Sequence, residues 1–302
     1  MADSWKLVSA IVSKDKAQAA LVAQEEDADW PWDWVLTGME VADDRPDEWT
    51  LEVFLPGKPS AADKCRFAAL FGNAPPKISA EKIADQDWLV LSQQGIAPID
   101  AGRFHVRTDG FPAAPGKVNF VIPASQAFGT GHHATTAGCL EMLDLMKRQG
   151  NAARNIADIG TGTGLLAFAA MHLWPRALAT ASDIDPVCAL VVADNAALNG
   201  VRMGARPGSL TMAIAPGMAD PLLQARAPYD LFIANILAGP LVELAEEFAA
   251  ATAPGGNILL AGLLETQEQS VRAAYRRQGL RLHRRKGRDD WSVLWLRKSR
   301  LR

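Results

Sequence analysis

The sequence predicts an α/β protein, a mainly parallel sheet with helices on both faces, preceded by a small α+β domain. Three observations lead there. Beyond about residue 150, short apolar strands alternate with helical stretches, the pattern of parallel strands joined by crossover helices. Within that region, Asn155-Ile-Ala-Asp-Ile-Gly-Thr-Gly-Thr-Gly164 runs from an apolar strand into three alternate glycines and on into the helical Leu165-Leu-Ala-Phe-Ala-Ala170. The first eighty or so residues instead read β-α-β-β-α-β, the split order of a ferredoxin-like domain.

Composition agrees with two folded domains. The chain has 302 residues, 49% apolar and 22% charged, enough for a sizeable core. Cys65, Cys139 and Cys188 lie far apart without metal-ligand spacing, so free thiols in a reducing cytoplasm are expected. No segment approaches the roughly 18 to 20 apolar residues of a membrane span, and Asp3, Lys6, Lys14, Asp15 and Lys16 interrupt the start. The net charge of -3 conceals an asymmetry: residues 1–100 hold 18 acidic against 9 basic side chains, residues 272–302 hold 12 basic against 2 acidic. The acidic third suits either a basic partner or a solvated face. The basic end interleaves its charges with apolar residues, as strands with polar outer faces do, and leaves contact with RNA open as a second reading.

In chain order, residues 5–12 read as a strand and 14–26 as an alanine-rich helix, followed by strands near 34–41 and at Trp49-Thr-Leu-Glu-Val-Phe-Leu55. Residues 59–71 read as a helix capped by Ser60 and stopped at Gly72-Asn73, and 78–83 as a last strand. This unit, residues 1–84, is expected to recognise substrate, since it contains no His and no cluster of Asp, His and Cys. Trp30-Pro-Trp-Asp-Trp34 either closes an edge of its core or presents an aromatic anchor. Residues 85–94 suit a connecting helix, and Pro98, Gly102, Gly110, Pro112, Pro115 and Gly116 mark 85–116 as a linker with short strands near 103–108 and 117–122. The larger domain, 117–302, is expected to run through a helix at 135–147, the glycine turn, strand 178–183, helix 186–199, strands 208–214 and 229–235, helix 240–250, strand 256–262, helix 265–277 and an antiparallel hairpin near 280–285 and 291–296.

Gly160, Gly162 and Gly164 permit positive φ and let a ligand approach the backbone without meeting a Cβ. A dinucleotide fingerprint needs its third glycine at position 165, which is Leu165. Asp183, 23 residues after Gly160 at the end of the next strand, is placed to accept both hydroxyl hydrogens of a ribose. Asp185 precedes Pro186 and suits a helix cap, while Asp158 either holds the glycine turn or meets the ligand's amino acid moiety. Asn235 ends a buried strand, where its amide oxygen and nearby carbonyls can accept hydrogen bonds from an incoming amine; Asn-Ile-Leu-Ala follows no aromatic pattern, so an aliphatic amine fits better than a planar base. Phe128-Gly-Thr-Gly-His-His-Ala-Thr-Thr136 forms a second glycine-rich lip ending in hydroxyls, among them Thr136. His132 and His133 lack the partners a metal needs, and no hydrolase pattern occurs, so no metal is expected.

The G-x-G-x-G turn resembles motif I of the Rossmann-like class I S-adenosylmethionine-dependent methyltransferases. With Ala127-Phe-Gly-Thr-Gly-His-His-Ala-Thr-Thr136, Asp183-Ile-Asp-Pro186, Ala234-Asn-Ile-Leu-Ala-Gly-Pro-Leu241 and Asp290-Trp291, residues 85–300 resemble the family that methylates ribosomal protein L-eleven (L11). The resemblance implies S-adenosyl-L-methionine as cofactor, contacts to it from Thr136, Gly160, Asp183 and Asn235, and methyl transfer to lysine ε-amines, with an α-amine as a further target. Pro123-Ala-Ser-Gln126 replaces the family's usual Asp-Pro-Gly-Met, His132-His-Ala-Thr-Thr136 its Thr-His-Pro-Thr-Thr, and Thr161 and Thr163 its Cys and Ser. These departures concern the loop over the cofactor and substrate preference. The rival readings are lysine methylation of another protein, such as the electron-transfer flavoprotein β subunit, an RNA methyltransferase, and a nicotinamide-binding protein, the last opposed by Leu165. Neither a membrane nor sequence-specific nucleic acid is expected as partner.

Overall fold

The structure, a computed structural model, describes residues 5–25, 27, 30, 31, 34–42, 45–82, 98–123, 132–288 and 290–300. The chain divides into two compact units, residues 1–95 and 96–302.

In the first unit, β1 (Trp5–Ser9), β2 (Val12–Ser13), α1 (Lys14–Glu25), β3 (Val35–Glu40), β4 (Glu48–Leu55), α2 (Ala61–Ala69) and β5 (Ile78–Lys82) follow one another. β4 and β5 flank β1, β3 lies on the outer side of β4, and every pairing is antiparallel. β2 continues the line of β1 along β4, so the expected strand 5–12 is broken rather than continuous. Period-two alternation sends Leu7, Leu51, Val53 and Leu55 to one face, where Phe67 of α2 and the small Ala17 and Ala20 of α1 cover them. Ser60 caps α2 as expected: its Oγ accepts the Asp63 amide at 3.2 Å, and Asp63 Oδ2 accepts the Ser60 amide at 2.6 Å. Trp30 and Trp34 meet edge to face, 5.4 Å between ring centroids, and are half-buried on the edge of this core. Trp32 and Asp33, and the helix expected at 85–94, lie outside the described residues.

The second unit opens with β6 (Ile99–Ala101), β7 (Phe104–Arg107) and β8 (Val118–Val121), a three-stranded sheet in the stretch read as linker. Ile99, Ala101, Phe104, Val106 and Phe120 are buried in the larger core, so residues 98–116 pack within this unit. Their glycines and prolines serve the turns of a small sheet. At one of them, Gly102, φ is +58° and a Cβ would lie 2.8 Å from Asp144 Oδ2.

Next come α3 (His132–Arg148), β9 (Asn155–Ile159), α4 (Leu165–Leu173), β10 (Leu178–Asp183), α5 (Val187–Leu198), β11 (Leu210–Ile214), α6 (Pro221–Arg226), β12 (Tyr229–Asn235), α7 (Ala238–Glu243), α8 (Ala245–Ala251), β13 (Thr252–Leu264), α9 (Glu268–Arg277), β14 (Leu280–Arg288) and β15 (Trp291–Lys298). They form a seven-stranded sheet in the order β11-β10-β9-β12-β13-β15-β14. The first five strands are parallel; β15 is antiparallel to both β13 and β14, the closing hairpin expected from two strands with no helix between them. One face is covered by α3, α4 and α5, the other by α6 to α9. The expected helix 240–250 is two helices meeting at Leu244. Glu268, almost fully buried at the base of the hairpin, is held by Arg285 (2.5 Å), Arg272 (2.9 Å) and Ser292 (3.0 Å), which offset the cost of burying its charge. Among the described residues no helix is long and apolar enough to cross a membrane.

Candidate functional site

The site is set by strand register. Ile159 of β9 stands opposite Ser182 of β10 on one side and Ala234 of β12 on the other. The next residues along the three strands are Gly160, Asp183 and Asn235, so all three emerge side by side at the carboxyl edge of the sheet. Two strand spacings separate Asp183 from Asn235, roughly 10 Å, with the glycine turn between them. In an open parallel sheet this edge is where ligands bind.

Each glycine of the turn is required for its own reason. Gly160, Gly162 and Gly164 have φ of +69°, +55° and +84°. A Cβ at Gly160 would collide with Ile236 Cγ2, and one at Gly164 would lie 2.7 Å from the ring of Phe168, whereas nothing lies within 4 Å of the Cβ position at Gly162. The middle glycine therefore faces open space, with bare backbone a ligand can touch. The amides of Gly160 and Thr161 donate to the Ser182 carbonyl at 2.8 and 3.0 Å, which pins the turn to β10. Asn195 Nδ2 of α5 donates to the Thr163 carbonyl at 2.9 Å. One helical turn on, Asn199 Nδ2 donates to the Val121 carbonyl at 2.8 Å and its Oδ1 accepts the Val121 amide at 2.7 Å, tying the same helix to β8.

Asp183 shapes the turn as well as facing it. Its Oδ2 accepts the Gly162 amide at 2.8 Å and its Oδ1 the Asp185 amide at 3.1 Å, and the Cys188 thiol is a third partner, which leaves the carboxylate part of its acceptor capacity for a ligand hydroxyl. Asp185 accepts the Val187 amide at 2.9 Å in the first turn of α5, the capping role its position suggested. Ile184, between them, is 70% exposed, an apolar side chain in the open beside the carboxylate.

For Asp158 the sequence left two roles open, and the hydrogen bonds favour the holding one. Its Oδ2 accepts the Thr161 hydroxyl at 2.7 Å and the Ala167 amide at 3.1 Å, joining β9, the turn and α4. Burial pushes its pKa up to about 6 against these two hydrogen bonds, and the nearby Asp183 charge adds to the rise. Because Gly164 donates to Thr161 and Ala167 to Asp158, part of the amide row at the start of α4 is already engaged.

Asn235 has the opposite character. Its Oδ1 is buried and, like Ser182 Oγ on the neighbouring strand, has no hydrogen-bond partner among the described residues, which leaves an acceptor open at the carboxyl edge of the sheet. The chain turns sharply after it. Ile236 is wedged between Gly160 and Gly262, whose φ is +83° and whose Cβ would lie 2.8 Å from the Ile236 carbonyl carbon. Gly262 sits where the pairing of β13 with β15 slips, between Leu260 and Leu263. Sequence reading did not single it out; a lone glycine inside an apolar strand, Leu259-Leu-Ala-Gly-Leu263, is the signal that marks such a bulge.

Thr136 is buried in the second turn of α3, and among the described residues it takes no part in the hydrogen bonds of the glycine turn. Residues 124–131 of the second lip, and the side chains of His132 and His133, lie outside the description. Among the described residues no three His, Cys, Asp or Glu side chains gather as a metal site would require.

Comparison with known proteins places the chain in one family. A family model described as Ribosomal protein L11 methyltransferase (PrmA) matches residues 6–299. A ribosomal protein L11 methyltransferase of Rhizobium meliloti (strain 1021) is 41% identical over 270 residues, 87% of this chain and 89% of that protein. One of Brucella suis (strain ATCC 23445 / NCTC 10510) is 41% identical over 233 residues, 76% of this chain and 79% of that protein. Among solved structures, a ribosomal protein L11 methylase from Lactobacillus delbrueckii subsp. bulgaricus covers 67% of this chain and all of its own at a TM-score of 0.56 and 24% identity, a likeness of fold.

Proposed function

The chain belongs to the ribosomal protein L11 methyltransferase family, a family of S-adenosylmethionine-dependent enzymes, and from that premise we propose that it methylates amines of ribosomal protein L11, lysine ε-amines above all. The observation that carries the reading is the buried, unpartnered Asn235 Oδ1 at the carboxyl end of β12, in line with Gly160 and Asp183. It is an acceptor without a donor, and a neutral amine is a donor that also carries a nucleophilic lone pair.

The residues fit S-adenosylmethionine. Asp183 would take the ribose hydroxyls on its free lone pairs, Gly162 would receive the ligand against bare backbone, and Ile184 would offer an apolar surface to the adenine. Asp158, beneath the turn, would lend negative charge toward the ammonium of the amino acid end. Thr136 and Gly164 belong to the same proposed cradle, Gly164 through the turn that it closes. When bound, the cofactor supplies an electrophilic methyl group on a sulfonium sulfur. The protein's task is then alignment, which can contribute several kcal/mol to lowering the barrier. Asn235 Oδ1 accepts one N–H of the amine and so fixes the direction of its lone pair. As an amide it takes no proton, so the lysine arrives neutral or loses its proton to water; from a free pKa of about 10.4, neutrality at pH 7 costs about 4 to 5 kcal/mol, which a desolvated channel reduces.

Incubating the protein with methyl-labelled S-adenosylmethionine and separated ribosomal proteins tests the assignment. Label on L11 is the expected result; label confined to another protein, such as the electron-transfer flavoprotein β subunit, would replace it.

A further inference from the structure

The outer edge of the sheet carries more positive charge than the fold uses. β14 is the terminal strand of the sheet, with one side unpaired among the described residues, and its sequence Leu280-Arg-Leu-His-Arg-Arg-Lys-Gly-Arg288 is basic at six of nine positions, counting His283. The carboxylates in contact with it are engaged. Glu141 of α3 pairs with Lys286 and Arg288, and Glu265 and Glu268 pair with Arg285, Glu268 also with Arg272. Arg276 of α9, Arg281 and Arg284 of β14 and Arg297 of β15 have no carboxylate partner among the described residues; Arg297 donates only to the Gly255 carbonyl at 3.4 Å.

Three of these arginines lie together on the hairpin, and Arg276 borders it from α9. Arg281 and Arg297 are register partners across the hairpin, and Arg276 and Arg281 line one groove between α9 and β14, floored by Leu280, Leu282 and Leu296. Arg284 and Arg297 flank His283, whose ring lies 4.2 Å from that of Trp295. Burial first and these two guanidiniums second hold His283 below the ordinary histidine pKa, a sign that the local positive field is not cancelled. An edge strand needs only a charge or two to discourage pairing with another strand. Four uncompensated arginines spread over a helix and two strands exceed that need, and arginine is the side chain whose fork matches phosphate oxygens.

We propose that this edge is a binding surface for the sugar-phosphate backbone of RNA. It lies three strand spacings from β12, with Arg281 and Arg297 level with Leu231, so it is roughly 15 to 20 Å from Asn235, close enough for one ribonucleoprotein to reach both. The contact is to the backbone, which arginine forks match, and the exposed ring among these arginines, His283, is packed against Trp295. Its meaning rests on the proposed ribosomal-protein substrate: the surface would hold the enzyme on RNA next to the protein it modifies.

The test is fluorescence anisotropy of a labelled, mixed-sequence 20-nucleotide single-stranded RNA with the full chain. With four phosphates neutralised, affinity falls about 50-fold between 50 and 200 mM salt, and in the triple variant R276Q/R281Q/R284Q that salt effect shrinks to about threefold. S-adenosylhomocysteine binding by the same variant reports that it is folded and is expected to stay unchanged. No RNA binding at 50 mM salt, RNA binding that the triple variant keeps in full, or tighter binding of poly-glutamate or of phosphatidylglycerol vesicles than of RNA at equal charge each overturns the proposal. Substrate protein is absent from the measurement, so these failures leave the methyltransferase reading untouched, while absence of L11 methylation with intact RNA binding refutes that reading instead.

Discussion

The Gly162 amide donates to Asp183 Oδ2 at 2.8 Å, so the carboxylate placed to receive a ribose is also what holds the glycine turn in shape. Replacing Asp183 therefore removes two things at once. Asp183→Ala is expected to weaken S-adenosylhomocysteine binding by about 1.5 to 3 kcal/mol, the range for hydrogen bonds to a charged group, and Asp183→Asn, which keeps one acceptor oxygen, by less. Isothermal calorimetry decides; unchanged affinity in the alanine variant would remove Asp183 from the site.

Gly160 and Ile236 form a pair that can be separated experimentally. Gly160→Ala suffers both its positive φ and collision with Ile236 Cγ2. The backbone part costs about 1 to 2 kcal/mol. Adding Ile236→Ala removes the collision alone, so the double variant should recover stability relative to Gly160→Ala, down to that backbone part plus the cost of the Ile236 cavity. Urea unfolding of the four members of the cycle checks this, and no recovery would mean that the collision is relieved by movement elsewhere.

Asn235→Ala deletes an oxygen that bonds to nothing in the free protein. Stability is expected to change by less than about 1 kcal/mol, while methyl transfer falls on the order of 100-fold through lost orientation of the amine. The informative readout is a drop in turnover well beyond any loss of S-adenosylhomocysteine affinity, which reports the cofactor contact of Asn235, with melting temperature near the parent value. Equal loss of all three would make Asn235 a structural residue.

Asp158 predicts a pH dependence of known sign. Its carboxyl titrates near 6 in the folded chain against 3.8 for the free group, so between those values the folded state holds a proton that the unfolded state has released. The stabilising contribution of this group is complete below about 3.8 and lost as pH rises through about 6, on the order of 3 kcal/mol in all. Asp158→Asn should abolish that portion of the slope, seen by comparing unfolding free energies of parent and variant across pH 4 to 7. In the same window the parent, but not the variant, is expected to bind the cationic cofactor less well as the carboxyl gains its proton. A variant with the parent's slope would assign the titration to another group.

Much of the fold was legible because periodicity and punctuation are local. Strands 178–183 and 229–235 begin and end where their apolar runs do, which is enough to place Asp183 and Asn235 at the carboxyl edge. Ser60 and Asp63 stand three residues apart, so their capping box was readable without knowledge of anything distant. What escaped depends on long-range neighbours. Ile99–Ala101 lies between Pro98 and Gly102 and looks like loop until it pairs with β7 and buries Ile99 and Ala101 against α3. Gly262 matters only because the Ile236 backbone arrives beside it from a different strand. The choice between Asp158 as ligand contact and as brace needed the positions of Thr161 and Ala167, which sequence spacing alone does not supply.

Asn195 and Asn199 give helix α5 a mechanical part. One grips the glycine turn through Thr163, and the other grips β8 through both backbone atoms of Val121. Both grips fall in the last turn of the helix, Val187–Leu198 with Asn199 just past its end, so its carboxyl end is a clamp that closes on the glycine turn and β8 together. The glycine turn and the small sheet that opens this unit therefore share one anchor, and loosening that single helical turn would release both.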